Sequence, residues 1–115
     1  MEKERLQEYA ARVTQANRSE LVVIIYEATL ASIEEGKKYL KQGEIEAARH
    51  EIERARSMIT ELMASLDLQY EISHYLRQLY VFAYRELCQG IANRDPEQLN
   101  HATDIFERSE EHTSE

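Results

Sequence analysis

A run of apolar residues between positions 45 and 66 constrains the fold of this chain more than any other feature of its sequence. These residues recur at alternating spacings of three and four, without a miss: Ile45, Ala48, Ile52, Ala55, Ile59, Leu62 and Leu66. This spacing marks one face of an α-helix, and glutamate and arginine occupy seven of the fifteen positions between. Such a helix draws most of its stability from packing its apolar face, so the pattern predicts a helix lying lengthwise in a bundle.

A first helix is predicted over residues 20–42, ahead of this one. Ser19 is a suitable N-cap for it, because a serine hydroxyl can accept a hydrogen bond from a free N–H of the first turn. Gly43 ends it, because glycine readily adopts the left-handed conformation found just after helices. The second helix then begins near Glu44.

A third helix, with two apolar stripes, is predicted over residues 71–93. A fourth helix follows it and has the apolar residues Leu99, Ala102, Ile105 and Phe106. Asp95 is the expected N-cap of the fourth helix, Pro96 fits its first turn, and Gln98 is the expected capping-box partner. Long helices joined by short links favour antiparallel packing. The sequence therefore predicts an all-α fold, an antiparallel four-helix bundle (residues 19–107) preceded by an amphipathic N-terminal segment (residues 1–18).

The composition of the chain argues against several classes of partner and indicates its cellular compartment. The 115 residues carry 14 lysines and arginines against 22 aspartates and glutamates, a net charge of −8. Phosphate-rich partners would be repelled, so neither nucleic-acid binding nor binding to anionic membranes is expected. No apolar run approaches the roughly 20 residues needed to span a bilayer, so membrane insertion is not expected either. The lone Cys88 excludes an internal disulfide and favours a reducing compartment. Together with an N-terminus that lacks the pattern of a secretory signal, this predicts a cytoplasmic protein.

The last eight residues, 108–115, have an unusual sequence. Arg-Ser-Glu-Glu-His-Thr-Ser-Glu resembles the translation of a short-read sequencing adapter. These residues are therefore predicted to be disordered and foreign to the bundle, with the fourth helix cut short. Their one arginine and three glutamates contribute −2, so without them the net charge changes from −8 to −6 and stays acidic.

Five short motifs, in order, give the chain a family resemblance. They are Tyr9; Ser19-Glu20-Leu21 with Tyr26-Glu27; Gly43-Glu44-Ile45-Glu46-Ala47-Ala48; Ile59-Thr60-Glu61-Leu62-Met63-Ala64-Ser65-Leu66-Asp67; and Leu79-Tyr80 with Tyr84-Arg85-Glu86-Leu87. In this order and spacing they resemble the FliS family of flagellar export chaperones. One departure is Leu68-Gln69-Tyr70, where many members carry a glycine pair, so the geometry of this loop is left open.

The resemblance implies a binding protein, not an enzyme, with no cofactor and no metal. The expected partner is the C-terminal segment of flagellin, which becomes helical on the bundle and is kept from polymerising before export. The flagellar export gate is a second expected partner. The resemblance also makes the N-terminal segment a candidate lid over the empty groove, with Tyr9 and Val13 as its contact residues. A frayed amphipathic end is the plain alternative.

Candidate residues for a groove involving the second and third helices are Met58, Leu62, Tyr75, Tyr80 and Tyr84. Tyrosine suits a groove that is wet when empty, because its ring is apolar and its hydroxyl polar. Methionine suits it because its flexible thioether adapts to different shapes. For each residue the alternative is an ordinary place in the core. Changing Tyr80 to aspartate separates the two, since a groove residue would lose client binding more than stability.

Two other functions stay open. The bundle could be an adaptor or scaffold with a different protein client. It could also hold a metal, because di-iron bundles pair two Glu-x-x-His motifs. Glu71-Ile-Ser-His74 matches one such motif, but the corresponding place in the fourth helix reads Gln98-Leu-Asn-His101. No catalytic constellation is found in the sequence.

Overall fold

Four long helices account for most of the residues that the structure describes. A computed structural model describes residues 3–7 and 18–113, with the side chains of residues 3–7 and 20–109. Residues 3–7 are helical, and no strand occurs within the described ranges. The four helices are α1 (Arg18–Lys41), α2 (Ile45–Ala64), α3 (Glu71–Ala92) and α4 (Pro96–Thr113). The predicted all-helical class is confirmed.

The helices pack as a closed ring. α1 contacts α2 and α4, and α3 contacts the same two helices. Gly36 near the end of α1 lies against Ile52 near the start of α2, whereas Ala28 shares a groove with Met58, further along α2. Residue numbers therefore fall along α1 as they rise along α2, and the two helices are antiparallel. The predicted bundle is confirmed.

The core contains the residues whose spacing predicted it. In α2 the seam is buried from Ala48 to Leu62, and Ile45 and Leu66 pack against it at the ends. In α4 the predicted residues Leu99, Ala102, Ile105 and Phe106 are all buried. The three-and-four spacing thus identified the inner face of both helices.

Three aromatic rings connect helices across the middle of the core. Tyr26 of α1 meets Phe106 of α4 edge-on, with ring centroids 5.4 Å apart. Tyr80 of α3 stacks on Phe106 at 6.0 Å, and the Tyr26 and Tyr80 hydroxyls are hydrogen-bonded to each other. Buried tyrosine hydroxyls need a polar partner. This pair therefore lets α1 and α3, which are diagonal in the ring, meet at the centre.

Two helix ends share one backbone motif. After α1, Gly43 has a φ of 79° and the Glu44 N–H donates to the Tyr39 carbonyl at 2.9 Å. After α3, Arg94 has a φ of 54° and the Asp95 N–H donates to the Gly90 carbonyl at 2.8 Å. Both are Schellman-type ends, in which a left-handed residue lets the chain satisfy a terminal carbonyl. The predicted role of Gly43 is confirmed.

Two predicted helix-start details are wrong. α1 begins at Arg18, so Ser19 lies inside the helix and not at its N-cap. Asp95 does cap α4, since its Oδ1 accepts the Glu97 N–H at 3.0 Å. Gln98, however, donates to Glu86 Oε2 and Gln89 Oε1 of α3, both at 2.9 Å. Its side chain stabilises the α3–α4 contact, which the local pattern did not show.

The predicted disorder of residues 108–115 is also wrong for the part that the structure describes. Residues 108–113 continue α4. Ser109 is fully buried and its hydroxyl donates to the Ile105 carbonyl at 2.9 Å. Ser109 lies one turn beyond Ile105 and so extends the buried face of α4. Residues 114 and 115 lie outside the described residues.

Candidate functional site

A groove of about 510 Å³ lies between α1 and α2, beside the helical residues 3–7. We call it the N-terminal groove. Its lining residues are Arg5, Leu6, Ala28, Ser32, His50, Glu53, Arg54, Ser57 and Met58. Small side chains on α1 leave the space, and Met58 supplies a flexible apolar wall. A volume of this size falls within the range typical of ligand-binding clefts.

A partly buried ion pair links residues 3–7 to α2. Arg5 Nη2 donates to Oε1 of Glu51 at 3.3 Å. Glu51 is only 4% exposed, and Arg54, one helical turn further on, approaches its Oε2 at 3.6 Å. A buried carboxylate is tolerated when it is paired. The segment that contains Leu6 is thereby positioned as one wall of the groove.

A second depression of about 380 Å³ lies where α2 turns into α3. We call it the turn cleft. It is lined by Val22, Leu62, Ser65, Leu66, Asp67, Tyr70, Ser73, Leu76 and Tyr80. Tyr70, in the loop that departs from the family's glycine pair, is 63% exposed. An aromatic ring this exposed, next to an apolar cleft, is available for contact with a partner.

The structure distributes the five predicted groove residues over several places. Met58 lines the N-terminal groove. Leu62 and Tyr80 are brought together at the floor of the turn cleft, but they are 1% and 2% exposed and belong to the core. Most of their surface contacts other core residues, because both lie on the inward faces of α2 and α3. They would support a groove from below.

Tyr75 and Tyr84 lie apart from both depressions. Tyr75 is on the surface of α3, 37% exposed, on the same helix as the exposed Ile72 and Phe82. Tyr84 is partly buried under the guanidinium of Arg56, which lies 5.3 Å from the ring centroid. The Tyr84 side chain beneath the guanidinium is the main reason that the pKa of Arg56 is raised above its usual value. Tyr84 thus joins α3 to α2.

The lid candidates Tyr9 and Val13 lie outside the described residues. The N-terminal residues that the structure does place on the groove, Arg5 and Leu6, were not singled out from the sequence. Neither was Glu51, which is one of many glutamates on α2. Its position one residue from the seam residue Ile52 was the available signal, since a charged residue that close to the seam is partly buried and needs a partner.

The histidines of the metal hypothesis are separated by the fold. His74 Nε2 is 2.9 Å from the Leu68 carbonyl, and His101 Nδ1 is 3.2 Å from Glu86 Oε1. Among the described residues, no group of three or more histidine, cysteine, aspartate or glutamate side chains is arranged to hold a metal ion. Within the same ranges, no helix has the length and apolar character to cross a membrane.

The fold and the groove define the class: a small antiparallel helical bundle with an open surface groove, which residues 3–7 partly wall. The family comparison is specific. A model of the family described as "Flagellar protein FliS" matches residues 1–112, and the chain belongs to this family. The family is one of flagellar export chaperones and not of enzymes. No curated protein matches the chain.

Proposed function

We propose that the protein binds the C-terminal segment of flagellin in the cytoplasm, keeps it from polymerising and presents it for export. The observation that carries this proposal is the N-terminal groove, an apolar depression that already has a short helical stretch of the chain, residues 3–7, as one wall. A groove that accepts one helix can accept another of similar chemistry. Family membership provides the flagellar context.

The groove has the properties that an amphipathic helix requires. Met58 and Leu6 provide apolar contact, whereas Glu53 and His50 lie at the edge. A client helix would lay its apolar face along α1 and α2 and keep its polar face in water. Ordering a disordered segment opposes binding, so the free energy must come from buried apolar surface and should give a negative heat-capacity change.

The turn cleft extends the proposal along the bundle. Its floor contains Leu62 and Tyr80, and Tyr70 stands exposed at its edge. Tyr75 offers further apolar surface on α3. We propose that a client longer than the N-terminal groove continues over this second site, with Leu62 and Tyr80 supporting the surface from within the bundle.

We also propose that the N-terminal segment competes with the client as a lid. Residues 3–7 lie on the groove, and Leu6 is 45% exposed although it is apolar. Contact that leaves so much of a leucine in water is weak and reversible. Tyr9 and Val13 stay candidates for the same lid.

A calorimetric titration tests the function. A synthetic peptide with the sequence of the last helical segment of flagellin should bind the chain, and Met58→Asp should weaken binding at least tenfold. The matched control is Thr60→Asp, an exposed position on the same helix, which should leave binding unchanged. Equal losses in the two variants would mean that the N-terminal groove is not the binding site.

The chaperone role requires a separate measurement. Flagellin polymerisation, followed by light scattering, should be suppressed by an equimolar amount of the chain and restored in the Met58→Asp variant. Binding without suppression would leave a protein that contacts flagellin but does not control its assembly. For the export gate, a pull-down with and without flagellin would show whether the loaded complex is the species recognised.

A further inference from the structure

Two arginines that line the N-terminal groove, Arg5 and Arg54, pair with the buried carboxylate of Glu51. Arg54 comes from α2 itself, one helical turn from Glu51, and approaches Oε2 at 3.6 Å. Arg5 comes from residues 3–7 and donates to Oε1 at 3.3 Å. The two arginines thus contact different oxygens of the Glu51 carboxylate. The contact with Arg54 belongs to the helix, whereas the contact with Arg5 exists only while residues 3–7 lie on α2.

Any segment that takes the place of residues 3–7 must compensate for the loss of Arg5 beside Glu51. Glu51 is 4% exposed, and a carboxylate removed from water is unfavourable unless an opposite charge or hydrogen-bond donors are near. Arg54 would continue to pair with one oxygen. An occupant that covered the other oxygen with an apolar or acidic group would remove its water without replacing the charge of Arg5.

We propose that Glu51 selects a basic residue in the segment that occupies the N-terminal groove. That residue is Arg5 when residues 3–7 are docked, and it is a lysine or arginine of the client helix when the client has displaced them. The inference rests on the proposed function, in which a client helix enters this groove. It adds a chemical requirement: the client carries a basic residue beside its apolar stripe, as Arg5 is beside Leu6.

The need for a basic residue also disfavours segments that carry an acidic one at that position. A segment with glutamate at the matching position would bring a second carboxylate towards Glu51, and like charges in a poorly hydrated site are strongly unfavourable. Arginine is favoured over lysine, since its planar guanidinium can pair with a carboxylate oxygen while stacking on neighbouring side chains. Glu51 is therefore a specificity determinant, and the apolar lining supplies most of the affinity.

The first test couples Glu51 to the flagellin peptide. Each lysine and arginine of the peptide is replaced by glutamine in turn, and every peptide is titrated against the wild-type chain and the Glu51→Gln variant. One replacement should weaken binding to the wild type about tenfold, or about 1.4 kcal/mol, but binding to Glu51→Gln less than twofold. A peptide that binds tightly while every replacement has the same effect on both chains overturns the inference and leaves the proposed function standing.

The second test does not depend on flagellin. Two labelled peptides of residues 1–17, one with the natural sequence and one carrying Arg5→Gln, are titrated by fluorescence anisotropy against the full chain that itself carries Arg5→Gln. The natural peptide should bind about tenfold more tightly, and the difference should vanish against the double variant Arg5→Gln/Glu51→Gln. Equal binding of the two peptides to the Arg5→Gln chain overturns the inference. If the difference is observed but the flagellin peptide does not bind, only the flagellin assignment fails.

Discussion

The three tyrosines of α3 that were candidates for one groove have different environments. Tyr80 is surrounded by Tyr26, Phe106 and the rest of the core. Tyr84 packs beneath Arg56, and Tyr75 stands at the surface. A helix with two apolar stripes buries more of its circumference than one with a single stripe. Which ring faces water is then decided by the position of the neighbouring helices.

Substituting aspartate for Tyr80 and for Tyr75 should separate these environments. Tyr80→Asp places a carboxylate in the aromatic cluster and leaves a cavity, so it should lower the free energy of unfolding by more than about 3 kcal/mol. Tyr75→Asp, on the same helix but exposed, should lower it by less than about 1 kcal/mol. Urea unfolding followed by circular dichroism measures both. Equal losses would place Tyr80 at the surface and would revive it as a direct groove contact.

The Arg56–Tyr84 contact should stabilise the bundle independently of pH over the usual range. The folded-state pKa of Arg56 is raised, chiefly by the adjacent Tyr84 side chain. A raised pKa gives a contribution that is complete below the unfolded value and is lost only as pH rises through the folded value. Arg56→Gln should therefore cost a similar amount, about 0.5–1 kcal/mol, at pH values of about 6 and about 9. A loss that changed over this interval would mean that another group controls the contact.

At the scale of elements, the two Schellman-type ends provide a matched pair of substitutions. Gly43 has a φ of 79° with open space around it, and Arg94 has a φ of 54°. Gly43→Ala should destabilise the protein by about 1 kcal/mol, because a side chain makes the left-handed conformation costly. Arg94→Gly should stabilise it by less than this, since glycine also makes the unfolded chain more flexible. Thermal unfolding measures both, and a change of the same sign in the two variants would contradict the explanation.

The sequence predicted the individual helices better than the contacts between them. The α2 seam, the α4 core residues and Gly43 were found because each depends on a local pattern of three or four residues. Gln98 was misassigned because a capping box and a cross-helix hydrogen bond require the same residue type. Residues 108–113 were expected to be disordered because they are polar and resemble the translation of a sequencing adapter. The burial of Ser109 depends on where α4 packs, which this local sequence does not show.

The candidate site could be predicted only in part for the same reason. Met58 was recognised as a flexible apolar residue beside the seam, and it does line the N-terminal groove. The pairing of Arg5 with Glu51 joins residues 46 positions apart. No periodicity connects such positions, since their proximity depends on how the N-terminal segment returns to α2. The role of Glu51 became visible only with the burial of its side chain.

At the scale of the whole molecule, the bundle and the helical residues 3–7 are two parts, and their contact can be broken without unfolding either helix that flanks the groove. α1 and α2 are held by the core, and residues 3–7 add no buried apolar side chain to it, because Leu6 is 45% exposed. The groove can therefore open while the bundle stays folded. This separation is what a competing lid requires.

Deleting residues 1–7 should strengthen binding of the flagellin peptide about three- to tenfold. A groove that is covered part of the time shows an apparent affinity reduced by the uncovered fraction, and removing the cover restores the intrinsic value. The midpoint of thermal unfolding should fall only slightly, since Arg54 continues to pair with Glu51. Calorimetry with the full chain and the deletion variant gives the ratio of the two affinities.

The full chain carrying Lys3→Ala and Glu4→Ala, two exposed positions on the same segment, is the matched control and should bind as the wild type does. A deletion that weakened binding would show instead that residues 3–7 contact the client, because a segment that only competes can never add to its affinity.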